Sequence, residues 1–387
     1  MKNDIVSETG SRTVIIIQRV LPHYRIAFFN QLSRRLLKHG ILLKILYGLE
    51  FPGSVPCTVH PDEDWAVFID NKYLFIGNTE LVWQKCLSNI KHPDLVIIEQ
   101  ANRLLLNYIL LFRWRFSDLR LAYWGHGRNL QALNVKSLKE RLKRRLMNSV
   151  DWWFAYTKIS ANIIQETGYS QDKITVVNNS IDTKIFSEAL NSVTSDQIDK
   201  LRLQLGIGEG QVALYCGGMY PDKQIPFLLQ AAEELYNLKN DFKLVLIGSG
   251  PDEGLVKNKA KSNDWIHYIG PVYGAERAIY FSLCDVMLMP GPVGLVIVDS
   301  FIAALPLITT DIPTHGPEIA YLENGFNGIM TSFRIDDYVK IVSSCLSNDT
   351  YLNILRDGCT ESACRYTLDS MVDNYSCGVL NCLAEPS

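Results

Sequence analysis

The chain has 387 residues, 47% of them hydrophobic and 20% charged, which is the make-up of a folded globular protein and too long for a single hydrophobic core, so two domains are expected. The best apolar runs, Leu104–Phe112 and Val286–Val298, are too short to span a bilayer, and the polar start from Met1 to Thr13 is unlike a secretory leader, so a cytoplasmic location is expected. The net charge of −3 hides a split: residues 1–185 carry 25 Lys and Arg against 16 Asp and Glu, a surplus of +9, and the rest carry 13 against 25, a balance of −12. The first half therefore suits an anionic partner, either a membrane surface or an acidic ligand. Nine cysteines without a Cys-x-x-Cys pair or a zinc-spaced His cluster point to reduced, mostly buried thiols and to no structural metal.

In chain order, β-branched apolar runs, each followed by a helical pattern, read as buried parallel strands with crossover helices. The first half has Thr13–Gln18, Ile41–Tyr47, Asp94–Gln100, Arg120–Trp124, Trp152–Tyr156 and Lys173–Asn178. Two loops in this half stand out. Pro22-His23-Tyr24-Arg25 follows the first strand, and Trp124-Gly125-His126-Gly127-Arg128-Asn129 follows the fourth, with two glycines that are expected to expose the His126 ring. Between Lys136 and Leu146, Leu138, Leu142 and Leu146 make an apolar stripe beside Lys139, Arg141, Lys143, Arg144 and Arg145. Two readings of that stretch stand: a core-facing helix with a solvated basic surface, or a docking helix for an anionic membrane.

Residues 182–210 lose the strand pattern and end in Gly206-Ile207-Gly208-Glu209-Gly210. The domains are therefore expected at 1–185 and 211–365, with 186–210 a linker and 366–387 a helical segment able to return to the first domain. The second half has strands at Gln211–Gly217, Phe242–Gly248, Ile266–Gly270, Asp285–Pro290, Pro306–Asp311 and Asn327–Met330. In such sheets ligands bind beyond the carboxyl ends of the strands.

Three of these loops carry candidate chemistry. Cys216-Gly217-Gly218-Met219-Tyr220-Pro221-Asp222-Lys223 leaves a strand and enters an amphipathic helix. Glycines that admit a close ligand and a lysine at a helix start make a diphosphate site, against the alternative of a plain turn with a surface lysine. Gly248-Ser249-Gly250 lies in Gly-x-Gly-x-x-x-Gly, one residue longer than the dinucleotide fingerprint, so no nicotinamide site is expected. After Gly294 and Leu295 a buried helix holds one carboxylate, Asp299, which must be paired or hydrogen-bonded: by ribose hydroxyls, by a helix end, or by a basic side chain.

Taken together these segments resemble the retaining glycosyltransferases of family 4. The resemblance covers nearly the whole chain and is strongest from Lys173 onward. Val176 to Thr183 is similar to the family's Asn-x-x-Asp segment, Gly217 to Lys223 to its Gly-Arg-x-x-x-x-Lys diphosphate loop, and Gly291 to Asp299 to its two glutamates with seven residues between them. Pro317-Glu318 and Asn327-Gly328 stand at its Pro-Glu and Asn-Gly elements. Gly218 replaces the family's arginine, Gly291 its first glutamate, and Asp299 shortens the second.

The resemblance implies an α/β protein of GT-B fold, two Rossmann-like domains with parallel sheets facing a central cleft. It implies transfer of a sugar, with retention, from a nucleoside-diphosphate sugar to a hydroxyl of a glycan or lipid-linked acceptor, in envelope polysaccharide or lipopolysaccharide assembly. An epimerase or hydrolase of the same fold and a catalytically weakened sugar-nucleotide-binding subunit are the rival readings. Catalytic roles fall to His126 and Lys223. Donor contacts fall to Gly217, Gly218, Lys223, Gly248, Gly250, Gly294, Leu295, Asp299, Glu318 and His315, the last as a replacement for the missing sugar contact. Acceptor contacts fall to His23, Tyr24, Arg25 and Asn179. A glutamate restored at Gly291 is expected to alter the choice of sugar. No cofactor or metal is expected, because the donor loops lack paired acidic ligands. No nucleic-acid partner is expected, and the inner face of the cytoplasmic membrane is the anticipated docking surface.

Overall fold

The structure is a computed structural model that describes residues 12–54, 57–77, 79–127 and 148–385. It divides into two units: the chain up to Ile181 together with the chain from Leu368 onward, and Asp182–Thr367.

In the first unit, strands β1 (Arg12–Val20), β2 (Ile41–Gly48) and β3 (Ala66–Phe68) precede an antiparallel hairpin of β4 (Asp70–Ile76) and β5 (Thr79–Lys85). Strands β6 (Leu95–Glu99), β7 (Leu121–Gly125), β8 (Trp152–Ala155) and β9 (Ile174–Val176) follow. Outside the hairpin they form one parallel sheet, ordered β3-β2-β1-β6-β7-β8-β9. Alternate side chains enter two cores. Val14, Ile16, Ile45 and Ile97 lie on one face, and Ile15, Ile17, Val96 and Ile98 on the other, which is why these strands read as continuous apolar runs.

The first of those cores is closed by the helices Ile26–Leu37 and Leu368–Ala384. Tyr375 of the terminal helix stacks on Phe154 with centroids 4.3 Å apart. Gly378 lets the helix touch the sheet, since a Cβ there would lie 2.4 Å from Thr175 Oγ1. The Arg120 guanidinium donates to the Cys382 and Glu385 carbonyls at 2.6 and 2.7 Å, satisfying acceptors at the helix end.

In the second unit, β10 (Val212–Cys216), β11 (Lys243–Ile247), β12 (Ile266–Gly270), β13 (Val286–Met289), β14 (Leu307–Thr310) and β15 (Gly328–Thr331) form a parallel sheet. Its order is β12-β11-β10-β13-β14-β15, the order of the doubly wound dinucleotide fold. Both sheets are thus Rossmann-like.

The expected linker at 186–210 is corrected. It folds as helices Lys184–Ser192 and Ser195–Gln204 within the second unit. Phe186 packs edge-on to Phe281 with centroids 5.0 Å apart, and Thr194 with Gln197 forms a capping box that starts the second helix. Among the described residues no helix is long and apolar enough to cross a membrane. The basic stretch Lys136 to Leu146 lies outside the described residues.

Candidate functional site

The loops beyond β10 and β11 are fastened together by their backbones. Gly217 N–H donates to Ile247 O at 3.0 Å, Met219 N–H to Ser249 O at 2.9 Å, and Asp252 N–H to Met219 O at 2.9 Å. This closeness is what Gly248 and Gly250 permit. With φ of 137° and 155°, Cβ atoms there would lie 1.9 Å from Gly217 O and 2.5 Å from Met219 O. These two glycines are therefore braces behind the Gly217–Met219 loop, and Gly217 spends its N–H in the bracing. Gly218 is half-buried, its carbonyl accepting from Tyr215 Oη at 2.7 Å. A side chain at Gly218 would first meet the Tyr220 ring, at 2.6 Å.

From this loop the chain makes a short turn, Pro221–Lys223, passes Gln224 at φ 59°, and enters the helix Ile225–Leu238. Lys223 Nζ donates to Pro292 O at 2.6 Å. Burial pulls the ammonium pKa below its ordinary value, opposed by the charges of Asp222 and Glu318. The loop that holds Lys223 is itself pinned to β14: Thr309 and Thr310 hydroxyls donate to Met289 O and Pro290 O at 2.7 and 2.6 Å.

His315 completes that brace. Its Nδ1 accepts from Val293 N–H at 3.1 Å, and its Nε2 faces Thr310 O at 2.6 Å, which assigns the proton to Nε2. Burial lowers its pKa, so the ring is neutral at pH 7. The expected sugar contact by His315 is corrected: both ring nitrogens are engaged with backbone. Glu318 is buried beside Gly316, with Oε2 3.0 Å from where a Gly316 Cβ would stand.

At Gly291 a Cβ would lie 2.5 Å from the Lys223 carbonyl carbon and 2.6 Å from its Cα and O. The position has no room for any side chain, so the expectation that a glutamate there would tune sugar choice is corrected too. Gly294 has open space around it and, with Leu295, is half-buried at the start of the helix Val296–Ile302.

Asp299 is buried on that helix, and its partner belongs to none of the motifs. Arg277 Nη1 donates to Asp299 Oδ2 at 2.7 Å, and the guanidinium lies over the rings of Phe186 and Phe281 at 4.8 and 5.7 Å. Burial raises the Asp299 pKa, and Arg277 opposes the shift. Of the protein partners open to Asp299, the basic side chain is the one found; Oδ1 is buried without a partner.

In the first unit, His23 and Tyr24 are exposed on a short turn, His23–Arg25, and Arg25 turns inward. Its guanidinium lies over Trp124 at 5.0 Å and Tyr24 at 5.4 Å, and one nitrogen faces Met371 Sδ at 3.9 Å. His126 is not an exposed ring. Gly127, at φ 73°, is tucked against Ile164, and the His126 ring packs edge-on to Tyr156 with centroids 4.5 Å apart. Burial, then the Arg25 charge, pulls its pKa to about 4, so it too is neutral at pH 7. His126 Nδ1, Trp124 Nε1 and Tyr375 Oη are buried polar atoms without partners around this cation. Asn179 is buried nearby, its N–H donating to Tyr156 O at 3.0 Å.

The structure thus gathers Lys223, Gly291, Pro292, His315 and Glu318 in one cluster of the second unit, Asp299 with Arg277 in another, and Arg25 with His126 in the first unit.

This architecture is the GT-B fold. Over 95% of this chain and 99% of the other, it matches HepE of Anabaena in complex with UDP, with a TM-score of 0.67 at 15% identity. A glycosyltransferase from Rickettsia africae matches over 96% of this chain and 99% of its own, with a TM-score of 0.67 at 13% identity. Residues 210–348 match the family described as Glycosyl transferases group 1, so the second unit carries a domain of that group. In sequence, 190 residues are 29% identical to alpha-monoglucosyldiacylglycerol synthase of Acholeplasma laidlawii, a match spanning 47% of this chain and 46% of that relative.

Proposed function

We propose that the chain is a glycosyltransferase that moves a sugar from a nucleoside-diphosphate sugar to a hydroxyl of a lipid-linked or glycan acceptor, with retention. The observation that carries the reading is Lys223, a half-buried ammonium held by Pro292 O at a helix start, inside the segment that matches the group 1 glycosyl transferases. In the proposed reaction the bond between the anomeric carbon and the diphosphate breaks. The charge that grows on the leaving oxygen is met by Lys223, released from the Pro292 carbonyl. The acceptor oxygen bonds to the anomeric carbon on the face the diphosphate leaves, and its proton passes to the departing phosphate, so no protein nucleophile is needed.

The neutral His126 suits a hydrogen bond to the donor sugar rather than an acid, and Arg25 suits an anionic group of donor or acceptor. The name of the sequence relative, a glycolipid synthase, and the UDP bound to HepE favour a UDP-sugar and a lipid acceptor. A role in envelope glycan or lipopolysaccharide assembly at the inner membrane face follows from the same reading.

The test is incubation of the full chain with a panel of nucleotide sugars, with and without diacylglycerol or envelope lipid extract, and mass spectrometry of the products. Acceptor-dependent glycosylation is expected. Conversion without acceptor would assign epimerase or hydrolase activity, and binding without turnover a sugar-nucleotide-binding subunit. Lys223→Ala is expected to cost on the order of 100-fold in turnover, about 3 kcal/mol of barrier, with the fold intact by circular dichroism.

A further inference from the structure

The helix Leu105–Arg115 is apolar on both sides. Leu106, Leu110 and Leu111 face the core, which a sheet-covering helix requires. The opposite side should then be polar, and it is not: Tyr108, Phe112 and Phe116 are 43, 67 and 72% exposed, with Leu105 and Ile109 half-buried among them. At about 100° per residue these five fall within a sector of roughly 100°, and Arg113 and Arg115 flank it on either side. Phe112 and Phe116 touch each other, with centroids 4.9 Å apart. Trp114 between the arginines is turned inward, its Nε1 donating to Asp151 at 2.8 Å.

The helix that carries this face is charged by arginines alone. From Gln100 to Ser117 there is no Asp or Glu. Of the neighbouring acids, Asp151 accepts from Trp114 on the inward side, Glu80 pairs with Arg103 at 3.2 Å, and Asp118, exposed just past the helix end, lines a groove of about 680 Å³ with Lys91, His92 and Arg113. An exposed aromatic stripe bordered by arginines on both edges matches the layering of a lipid interface, apolar tails beneath and anionic phosphates beside. A soluble protein partner would need no such symmetry of charge.

We propose that this face docks on an anionic lipid surface, the helix lying in the interface plane with Phe112 and Phe116 inserted and Arg113 and Arg115 at the headgroup phosphates. The inference rests on the reading that the acceptor is carried on a membrane. It places the docking surface on described residues, independently of the basic stretch from Lys136 to Leu146.

The experiment is co-sedimentation of the full chain with phosphatidylcholine vesicles with or without phosphatidylglycerol, at low and raised salt. Parent protein should sediment with the anionic vesicles and be released by salt. Phe112→Ser/Phe116→Ser and Arg113→Gln/Arg115→Gln should each weaken binding by about tenfold or more. Melting temperatures should stay at the parent value, because all four side chains are exposed. If the serine variant misfolds, the glutamine variant still decides. Parent-like sedimentation of folded variants overturns the proposal, as does a parent that binds no anionic vesicle. A dimer that the serine variant dissolves, without vesicle binding, would assign the face to a second copy and overturn it as well. Turnover on diacylglycerol dispersed in detergent is read in parallel. Its absence would remove diacylglycerol as the acceptor, and absence of transfer to envelope lipid extract as well would sink the lipid-acceptor reading, whereas vesicle binding tests this face alone.

Discussion

Adding a single methyl group at Gly291 should disable the second unit's site. A Cβ there would stand 2.5 Å from the Lys223 carbonyl carbon, and ordinary contact begins at 3.4 Å, so the two backbones must separate by about 0.9 Å. Both sides resist. The Gly291 loop is tied to β14 by the Thr309 and Thr310 hydroxyls, and Lys223 enters a helix through the left-handed Gln224. Overpacking of this kind costs about 1–3 kcal/mol, which in a domain of this size lowers Tm by roughly 2–4 °C per kcal/mol. Displacing the ammonium by about 1 Å costs on the order of 100-fold in turnover. The assay pairs calorimetric melting of Gly291→Ala with nucleotide-sugar turnover, and Gly291→Glu should lose at least as much rather than change sugar preference. Parent-like Tm with turnover within twofold in Gly291→Ala would refute the argument that this glycine exists to admit Lys223.

Arg277→Met should leave the Asp299 carboxylate buried without its cation and cost about 3–5 kcal/mol in urea unfolding at pH 7, with much of the loss recovered in Arg277→Met/Asp299→Leu. A parent-like midpoint for the single variant would contradict the pairing. His126 binds its proton in the unfolded chain from the ordinary histidine value of 6.5 downward but in the folded protein only near a pKa of about 4. Its contribution is therefore neutral above about pH 6.5 and turns destabilising as pH falls toward 4, by at most about 3 kcal/mol. His126→Gln should flatten that part of the stability profile, and an unchanged slope between pH 7 and 4.5 would show that the ring is solvated. Gly248→Ala, with its Cβ 1.9 Å from Gly217 O, should lower Tm more than Gly294→Ala, which has open space.

Periodicity carried the sheets because a parallel strand buried on both faces must be apolar at every position, as in Ile15-Ile16-Ile17 or Val286-Met287-Leu288. It failed where burial is one-sided or absent. Strand β4, with Asn71, Lys72 and the exposed Leu74, Phe75 and Ile76, has no core to impose alternation, and its register comes from pairing with β5. Residues 186–210 read as a tether because their helices are mostly polar and bury single anchors such as Phe186 and Leu201.

The site was legible at a coarser grain for a related reason. A motif gives residue types at a spacing, whereas function depends on which atoms remain available after packing. Gly217, Gly248 and Gly250 look alike as phosphate-loop glycines, yet the latter two are fixed by the approach of the Gly217 and Met219 carbonyls. His315 reads as a spare polar group until both its nitrogens are found on Val293 and Thr310. Asp299 reads as a lone buried carboxylate until Arg277, 22 residues earlier and without any motif, is found on its Oδ2, while Oδ1 stays without a partner. Gly248, Gly250 and His315 each act one contact away from where the motif would put them. His315 and the two threonines hold the Pro292 loop, that loop holds Lys223, and Lys223 is the one member of the chain of contacts whose charge is left to meet a ligand.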